Sequence, residues 1–401
     1  MSKTIEIISE TEHYSAHNYL PLPIVLARGE GVWVFDVEGK KYLDMLSAYS
    51  ALSHGHRHPK IIDALVEQAG KVTLTSRAFH NEKMGSFLYK LCTLAGYEKA
   101  LPMNTGTEAV ETALKAARKW GLVVKGVPEN QGEIIVCENN FHGRTITVVS
   151  FSSETQYQYG FGPYTPGFKI VPYGDAEALS KAITPNTIAF LAEPIQGEGG
   201  VLVPPEGYLK EIRAITKEHN VLLMLDEIQT GLGRTGKLFA YEHEGAKPDV
   251  LILGKALGGG VYPVSAILAD NKIMGVFGAG DHGSTFGGNP LACAVAEVAL
   301  DVLEEEDLAG KALEMGGYFR AKLQEIKSPI VKEIRGKGLL IGVEIKKEFG
   351  TARPYCETLM KLGLLCKETH QQTIRFAPPL TITKAEIDWS LERIGTVLMA
   401  D

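Results

Sequence analysis

Two short runs, Leu222-Leu-Met-Leu-Asp226 and Val250-Leu-Ile-Leu-Gly254-Lys255, constrain the fold more than any other feature of this 401-residue chain. Each is an unbroken apolar stretch of strand length, without the alternation expected of a strand that has one face in water. Such strands belong to a mostly parallel sheet covered by helices on both faces. Each run also ends on a charged group, Asp226 or Lys255, with Gln229 three residues past the first and the Gly258-Gly-Gly260 backbone just past the second. Open α/β sheets bind ligands at the carboxyl ends of their strands. A carboxylate and an amine are thus expected at one edge of one sheet.

The surrounding chain extends this pattern. A predicted helix over Thr107–Trp120 precedes a strand at Glu133–Cys137, and a strand at Ile188–Ala192 precedes a helix over Tyr208–His219, an alternation that predicts an α/β fold. From Asn289 the periodicity is helical to about Ile326, after which Val331–Ile345 and Thr373–Phe376 read as short strands of a smaller α+β domain. Near the start, the segment Gly31–Gly39 alternates apolar and polar residues between turn formers, as a hairpin does. The expected division is an N-terminal segment 1–50 packing with the small domain, a large domain 51–290 and a C-terminal small domain 291–401.

Charge narrows the partners. With 48 acidic and 41 basic residues interspersed, for a formal net charge of -7, no basic stripe proposes nucleic acid and no polybasic run proposes anionic lipid. The stretch Val250–Ala269 is interrupted by Lys255 and four glycines, so no apolar run is clean enough to span a bilayer. The first ten residues are mixed and acidic, unlike a secretory or organellar leader, which leads us to expect a cytoplasmic protein acting on small molecules. Five cysteines (Cys92, Cys137, Cys293, Cys356, Cys366) without a CxxC pair read as reduced thiols. The run His54-Gly-His56-Arg-His58 invites a metal reading, but Gly55 and Pro59 favour a loop and no HExxH spacing occurs, so no metal is expected.

A lone Asp after a strand is ordinarily a turn former, and a lone Lys in a loop is ordinarily solvated. The two in register suggest more. A lysine leaving a buried strand can be desolvated into a nucleophile, and a nearby acid can keep a pyridine nitrogen protonated, which together are what pyridoxal phosphate chemistry needs. Three further segments suit that cofactor. Asn104-Thr-Gly106-Thr107 opens a helix whose first-turn amides can bind a phosphate, although a plain helix cap has the same composition. Phe141-His142-Gly-Arg144 follows a strand and supplies an aromatic face, an imidazole and a guanidinium. His282-Gly-Ser284-Thr285-Phe-Gly-Gly offers hydroxyls on a glycine-rich loop that could equally be a plain turn.

With these residues in view, the chain resembles the class III, fold-type I, pyridoxal phosphate-dependent aminotransferases, and within them the ornithine aminotransferases. The similarity runs from His17-Asn-Tyr19-Leu-Pro-Leu-Pro23 through Ser47-Ala-Tyr49-Ser, Asn104-Thr-Gly-Thr107, Phe141-His-Gly-Arg144, Glu193-Pro-Ile-Gln-Gly-Glu198 and Asp226-Glu-Ile-Gln229 to Ile374-Arg375-Phe-Ala-Pro-Pro.

The resemblance implies that Lys255 is the cofactor's attachment lysine and moves the reacting proton, while Asp226 holds the ring nitrogen protonated. Phe141 would stack on the ring with His142 behind Asp226, and Gln229 would reach the phenolic oxygen. Gly106 and Thr107 would bind the phosphate from their own subunit, and Ser284 and Thr285 from its neighbour, so a homodimer with shared active sites is implied. Arg144 would take ornithine's α-carboxylate and Tyr19 its α-amino group, with Tyr49 shaping the channel. Arg375 would take the α-carboxylate of glutamate or 2-oxoglutarate and pair with Glu198 while ornithine reacts. The implied activity moves the terminal amino group of ornithine to 2-oxoglutarate, yielding glutamate and glutamate 5-semialdehyde, which cyclises to pyrroline-5-carboxylate. Another ω-aminotransferase using acetylornithine, 4-aminobutyrate or lysine, an aminomutase of the same fold, and a non-catalytic cofactor binder remain alternatives.

Overall fold

The computed structural model describes residues 2–399. An N-terminal meander is formed by β1 (Leu26–Glu30), β2 (Trp33–Asp36) and β3 (Lys41–Asp44). The large sheet is formed by β4 (Lys99–Met103), β5 (Glu133–Cys137), β6 (Phe168–Val171), β7 (Thr187–Ala192), β8 (Leu222–Asp226), β9 (Val250–Leu253) and β10 (Ser265–Ala269). Its seven strands lie in the order β4-β10-β9-β8-β7-β5-β6. Strands β9, β8, β7, β5 and β6 pair in parallel, and only β10 runs against its neighbours β4 and β9. That antiparallel insertion was not anticipated, because a doubly covered strand has the same all-apolar composition in either direction.

The all-apolar runs are explained by what they touch. In β8, Leu222 and Met224 face one core together with the helix Gly106–Trp120, while Leu223 and Leu225 face the other with the helices Tyr208–Glu218 and Pro290–Glu305. Val250 and Ile252 alternate with Leu251 and Leu253 across β9 in the same way. Both faces being dry, a polar side chain is tolerated only where the strand stops.

The last third holds a second sheet of β11 (Val331–Lys337), β12 (Leu340–Ile345), β14 (Lys367–Thr369) and β15 (Thr373–Phe376), while the short β13 (Leu364–Leu365) leaves to pair in parallel with β3. The helical periodicity from Asn289 resolves into two helices, Pro290–Glu305 and Leu308–Glu325. Between them Asp307 takes a left-handed φ of 46° and its carboxylate accepts from Gly310 N at 3.0 Å, ending one helix and capping the next. Gly31–Gly39 is likewise corrected: the segment is the central strand of the meander, with Gly31 and Gly39 in its two flanking turns at φ of 56° and 85°. The histidine run lies in a turn before the helix Pro59–Ala69. There His54 bonds the Ala299 carbonyl at 2.9 Å, while His56 and His58 bond Asp44 and Glu306.

Arg234 ties these parts together. Its fully buried guanidinium donates to the carbonyls of Leu339 and Pro378 at 3.0 and 2.5 Å and to Ser53 Oγ at 3.1 Å, joining the end of β8 to the β11–β12 turn and to the chain beyond β15. Burial lowers its pKa to about 9, a measure of how dry the junction is. We expect Arg234→Ala to strand these acceptors at a cost of about 1–3 kcal/mol each, read as a lowered urea midpoint. A midpoint equal to wild type would show that the junction does not depend on this side chain.

Candidate active site

At the carboxyl ends of β7, β8 and β9 the chain encloses a cavity of about 180 Å³. Of the residues expected from sequence, Gly106, Thr107, Phe141, His142, Glu198, Asp226, Gln229 and Lys255 line it. Asp226 closes β8 with its carboxylate 5% exposed, accepting from Ile228 N at 3.0 Å and bonded to His142 Nδ1 at 2.7 Å. A carboxylate only accepts, so the proton of this bond sits on Nδ1. The other ring nitrogen, Nε2, is buried without a partner among the described residues. Glu227, the next residue, is turned away and anchors the backbone of Ala240 and Tyr241 at 2.7 and 2.9 Å.

Lys255 leaves β9 through Gly254 and starts a short 3₁₀ turn with a left-handed φ of 42°. Burial pushes its amine below the ordinary lysine range, against the opposing pull of Glu198 and Asp226. More of the nucleophilic free base is therefore present at neutral pH.

The helix Gly106–Trp120 begins with a capping box. Thr105 Oγ1 accepts from Glu108 N at 3.3 Å, and the Glu108 carboxylate accepts from Thr105 N at 2.7 Å. This satisfies the amides on either side and leaves those of Gly106 and Thr107, at the first two helical positions, for an anion. A Cβ on Gly106 would meet the Ile228 side chain at 2.9 Å, so glycine lets this helix start and the exit of β8 pack closely without moving Ile228. Ser265 Oγ on β10 fixes the same turn by donating to Thr105 O at 2.7 Å.

An ion pair between buried Arg375 and partly exposed Glu198 closes another side. Glu198 Oε1 accepts from Arg375 Nη1 at 2.6 Å and from Gln229 Nε2 at 3.2 Å, while the Tyr49 ring centroid lies 4.8 Å from the Arg375 guanidinium carbon. Burial alone would raise the Glu198 carboxyl, but Arg375 overrides it and brings the pKa down to about 2. Gly197 is required beside it, because a Cβ there would sit 1.9 Å from Gln229 Oε1.

Other expected residues lie outside the cavity lining. Arg375 and Tyr49 stand behind Glu198. Arg144 is exposed at the rim, its guanidinium carbon 5.8 Å from the Phe141 centroid and 4.1 Å from that of Tyr157. Tyr19 is 72% exposed. Ser284 Oγ accepts from Asn104 Nδ2 at 2.9 Å and Gly287 N at 3.1 Å in its own chain, whereas Thr285 is exposed.

Glu193 was not singled out as a site residue from sequence. It follows the apolar strand β7, lines the cavity and accepts from Phe141 N at 3.0 Å. Burial, then the nearby Asp226 charge, holds its carboxyl well above the usual range. The signal was the one that marked Asp226, a carboxylate at the end of a buried strand. Tyr157 beneath Arg144 carries no such signal.

These residues fit a flat, phosphate-bearing, aldehyde cofactor: free first-turn amides, an aromatic face, a carboxylate and a desolvated amine converge on one cavity. Among the described residues, no group of three or more His, Cys, Asp or Glu side chains is placed to hold a metal.

Comparison with known proteins gives concordant matches. The family described as Aminotransferase class-III matches residues 14–398. The ornithine aminotransferase of Brevibacillus brevis is 64% identical over 398 residues, covering 99% of each chain. That of Bacillus subtilis is 62% identical over 99% of this chain and 98% of its own. Among solved structures, the ornithine aminotransferase of Toxoplasma gondii ME49 superposes with a TM-score of 0.98 at 45% identity, covering 99% of this chain and 95% of that one. An acetylornithine aminotransferase from Elizabethkingia anophelis reaches 0.89 at 50% identity, with 99% of both chains covered.

The ion pair gives a direct test of the site's electrostatics. Carboxyl-carbon NMR should show no Glu198 titration between pH 4 and 8. In Arg375→Ala the same carboxyl should titrate inside that window, because the largest counterweight to burial is then gone and only Lys255 and Gln229 remain. A Glu198 that titrates normally in both proteins would mean the pair does not form in solution.

Proposed function

The chain belongs to the class-III aminotransferase family, and on that premise we propose that it transfers the terminal amino group of ornithine to 2-oxoglutarate. Pyridoxal 5′-phosphate, when bound, supplies the aldehyde that accepts the amino group and a ring that withdraws electrons from the reacting carbon. The chain does the rest. Gly106 and Thr107 would hold the phosphate by their amides, Phe141 would stack on the ring, and Gln229 would bond the phenolic oxygen. Asp226, oriented by His142, keeps the ring nitrogen protonated. Lys255 Nζ would be the group that takes up and gives back the proton of the reacting carbon.

One observation carries the choice of donor: Glu198 and Arg375 are paired at 2.6 Å beside the cavity. While they are paired, no free cation near the ring invites an α-carboxylate, so an amino acid with a second, terminal amine enters by that amine. Its carboxylate and α-amino group are then left to Arg144 and Tyr19 at the rim. An incoming 2-oxo acid competes with Glu198 for Arg375. Because Arg375 holds the paired Glu198 carboxyl well below the usual range, the competing anion rather than prior protonation of Glu198 opens the pair. The names of the relatives support ornithine as donor. The acetylornithine aminotransferase among the structural neighbours supports the second reading, a donor with a blocked α-amine.

We further propose a cytoplasmic homodimer in which Ser284 and Thr285 serve the partner's phosphate site. Exposed Phe79, Tyr89 and Phe286, the last beside Thr285, supply apolar surface for such a contact. No helix among the described residues is long and apolar enough to cross a membrane. The division into segments 1–50, 51–290 and 291–401 is part of the same reading, supported by the pairing of β3 with β13.

A donor panel tests the activity. Ornithine should exceed acetylornithine, 4-aminobutyrate and lysine in kcat/KM, with pyrroline-5-carboxylate as product. Acetylornithine as the better donor would favour the second reading. Asp226→Ala should lower turnover at least about a thousandfold, as several kcal/mol of lost transition-state stabilisation require. Near-normal rates would show that the ring nitrogen has another partner.

A further inference from the structure

The chain at Ser47-Ala48-Tyr49-Ser50 is left-handed at four successive residues, with φ of 45°, 47°, 61° and 74° and no glycine among them. In L-residues this conformation crowds each Cβ against the following carbonyl, so it occurs at single positions and runs of it are exceptional. A run of four persists only if its surroundings impose it.

The imposing contacts are specific. Asp44 Oδ1, at the end of β3, accepts from Leu46 N at 2.9 Å and Ser47 N at 2.8 Å. Ser47 Oγ donates to Ala377 O, and Ala377 N donates to Met45 O at 2.7 Å. Ala377 lies two residues beyond Arg375, so the turn is clamped to the strand that carries the guanidinium. A right-handed turn hung from the same Asp44 anchor would wind the opposite way and carry residue 49 off that side. As built, the Tyr49 ring lies against Arg375, whose other contacts are Glu198 and Gln229 and whose Nε has no partner among the described residues.

We propose that the left-handed turn Ser47–Ser50 is a positioning device that holds the Tyr49 ring against Arg375, keeping the guanidinium in place while it exchanges Glu198 for the substrate's α-carboxylate. This rests on the exchange described above. During it the strongest partner of Arg375 departs, and a cation on a half-buried aromatic face retains a contact that does not compete for the N–H groups facing the carboxylate. The Tyr49 hydroxyl supports the assignment: burial raises its pKa despite Arg375, so the ring remains a neutral phenol.

Ala48 allows a clean test, because its side chain is exposed and glycine adopts the left-handed region without crowding. Three measurements on the holoenzyme suffice: calorimetric titration with glutarate, which has two carboxylates and neither amine nor carbonyl; the single-turnover ornithine half-reaction; and thermal unfolding. Ala48→Gly should melt no more than about 2 °C from wild type yet bind glutarate roughly three- to tenfold more weakly, the size of a partly lost cation–π contact. Its ornithine half-reaction should change less than its glutarate affinity. Ala48→Asn, which tolerates the left-handed region, should rescue glutarate binding, and Tyr49→Leu should reproduce the Gly defect while Tyr49→Phe does not. Unchanged glutarate affinity in Ala48→Gly or in Tyr49→Leu, or an ornithine half-reaction that loses as much as glutarate affinity does in Ala48→Gly, overturns the proposal. Failure of ornithine to react with the wild type would overturn the donor reading instead, leaving the glutarate comparison intact.

Discussion

Burial of the large sheet on both faces is the constraint from which the site follows. Strands β7, β8 and β9 have no wet side on which to place a charged group, so chemistry is confined to their ends. Because the three are parallel neighbours, those ends coincide. Glu193, Asp226 and Lys255 are thereby brought to one cavity by strand direction alone, before any loop contributes. The loops refine this arrangement. The capping box at Thr105 leaves two amides free, and the turn at Gly197 sets Glu198 beside Gln229.

Three carboxyl groups share this small volume, and their environments separate them. Burial and Asp226 push the Glu193 carboxyl well above the usual range, whereas Arg375 holds Glu198 ionised. Asp226 is tied to His142. Three like charges side by side in a dry cavity would be strongly unfavourable, and the raised Glu193 carboxyl is the one biased toward taking a proton. The sign of each group is therefore set by its nearest partner and its solvation rather than by its identity as an acid.

What could be read in the sequence was whatever one residue type does at one kind of place. Asp226 and Lys255 announced themselves as charges ending apolar strands, and the Gly106-Thr107 turn as a helix start. The ends of elements also carried most of the fold, including both strands that bear those charges. Direction and tertiary contact were less visible. Nothing in Ser265–Ala269 says that it runs antiparallel, and nothing in Gly-Leu-Gly-Arg234 says that its guanidinium will bridge three distant segments. The left-handed run at Ser47–Ser50 contains none of the glycines that would have flagged it, since Asp44 and Ala377 impose it from outside. Gly31–Gly39 misled for a related reason: turn residues at both ends are common to a hairpin and to the middle strand of a meander.

The pairing of β10 with β4 and of β13 with β3 has a consequence for biogenesis. Met103 must wait for Ser265, more than 160 residues downstream, and Leu43 for Leu364, more than 320 residues downstream. At about 5–20 residues per second on the ribosome, the edge strand β4 is thus made roughly 8–30 seconds before its only neighbour. The N-terminal meander waits longer still for β13. Half-built sheets with open apolar edges are the species most exposed to aggregation. The nascent chain rather than the finished enzyme is therefore where this architecture is most vulnerable, and where chaperones would have the longest opportunity to act.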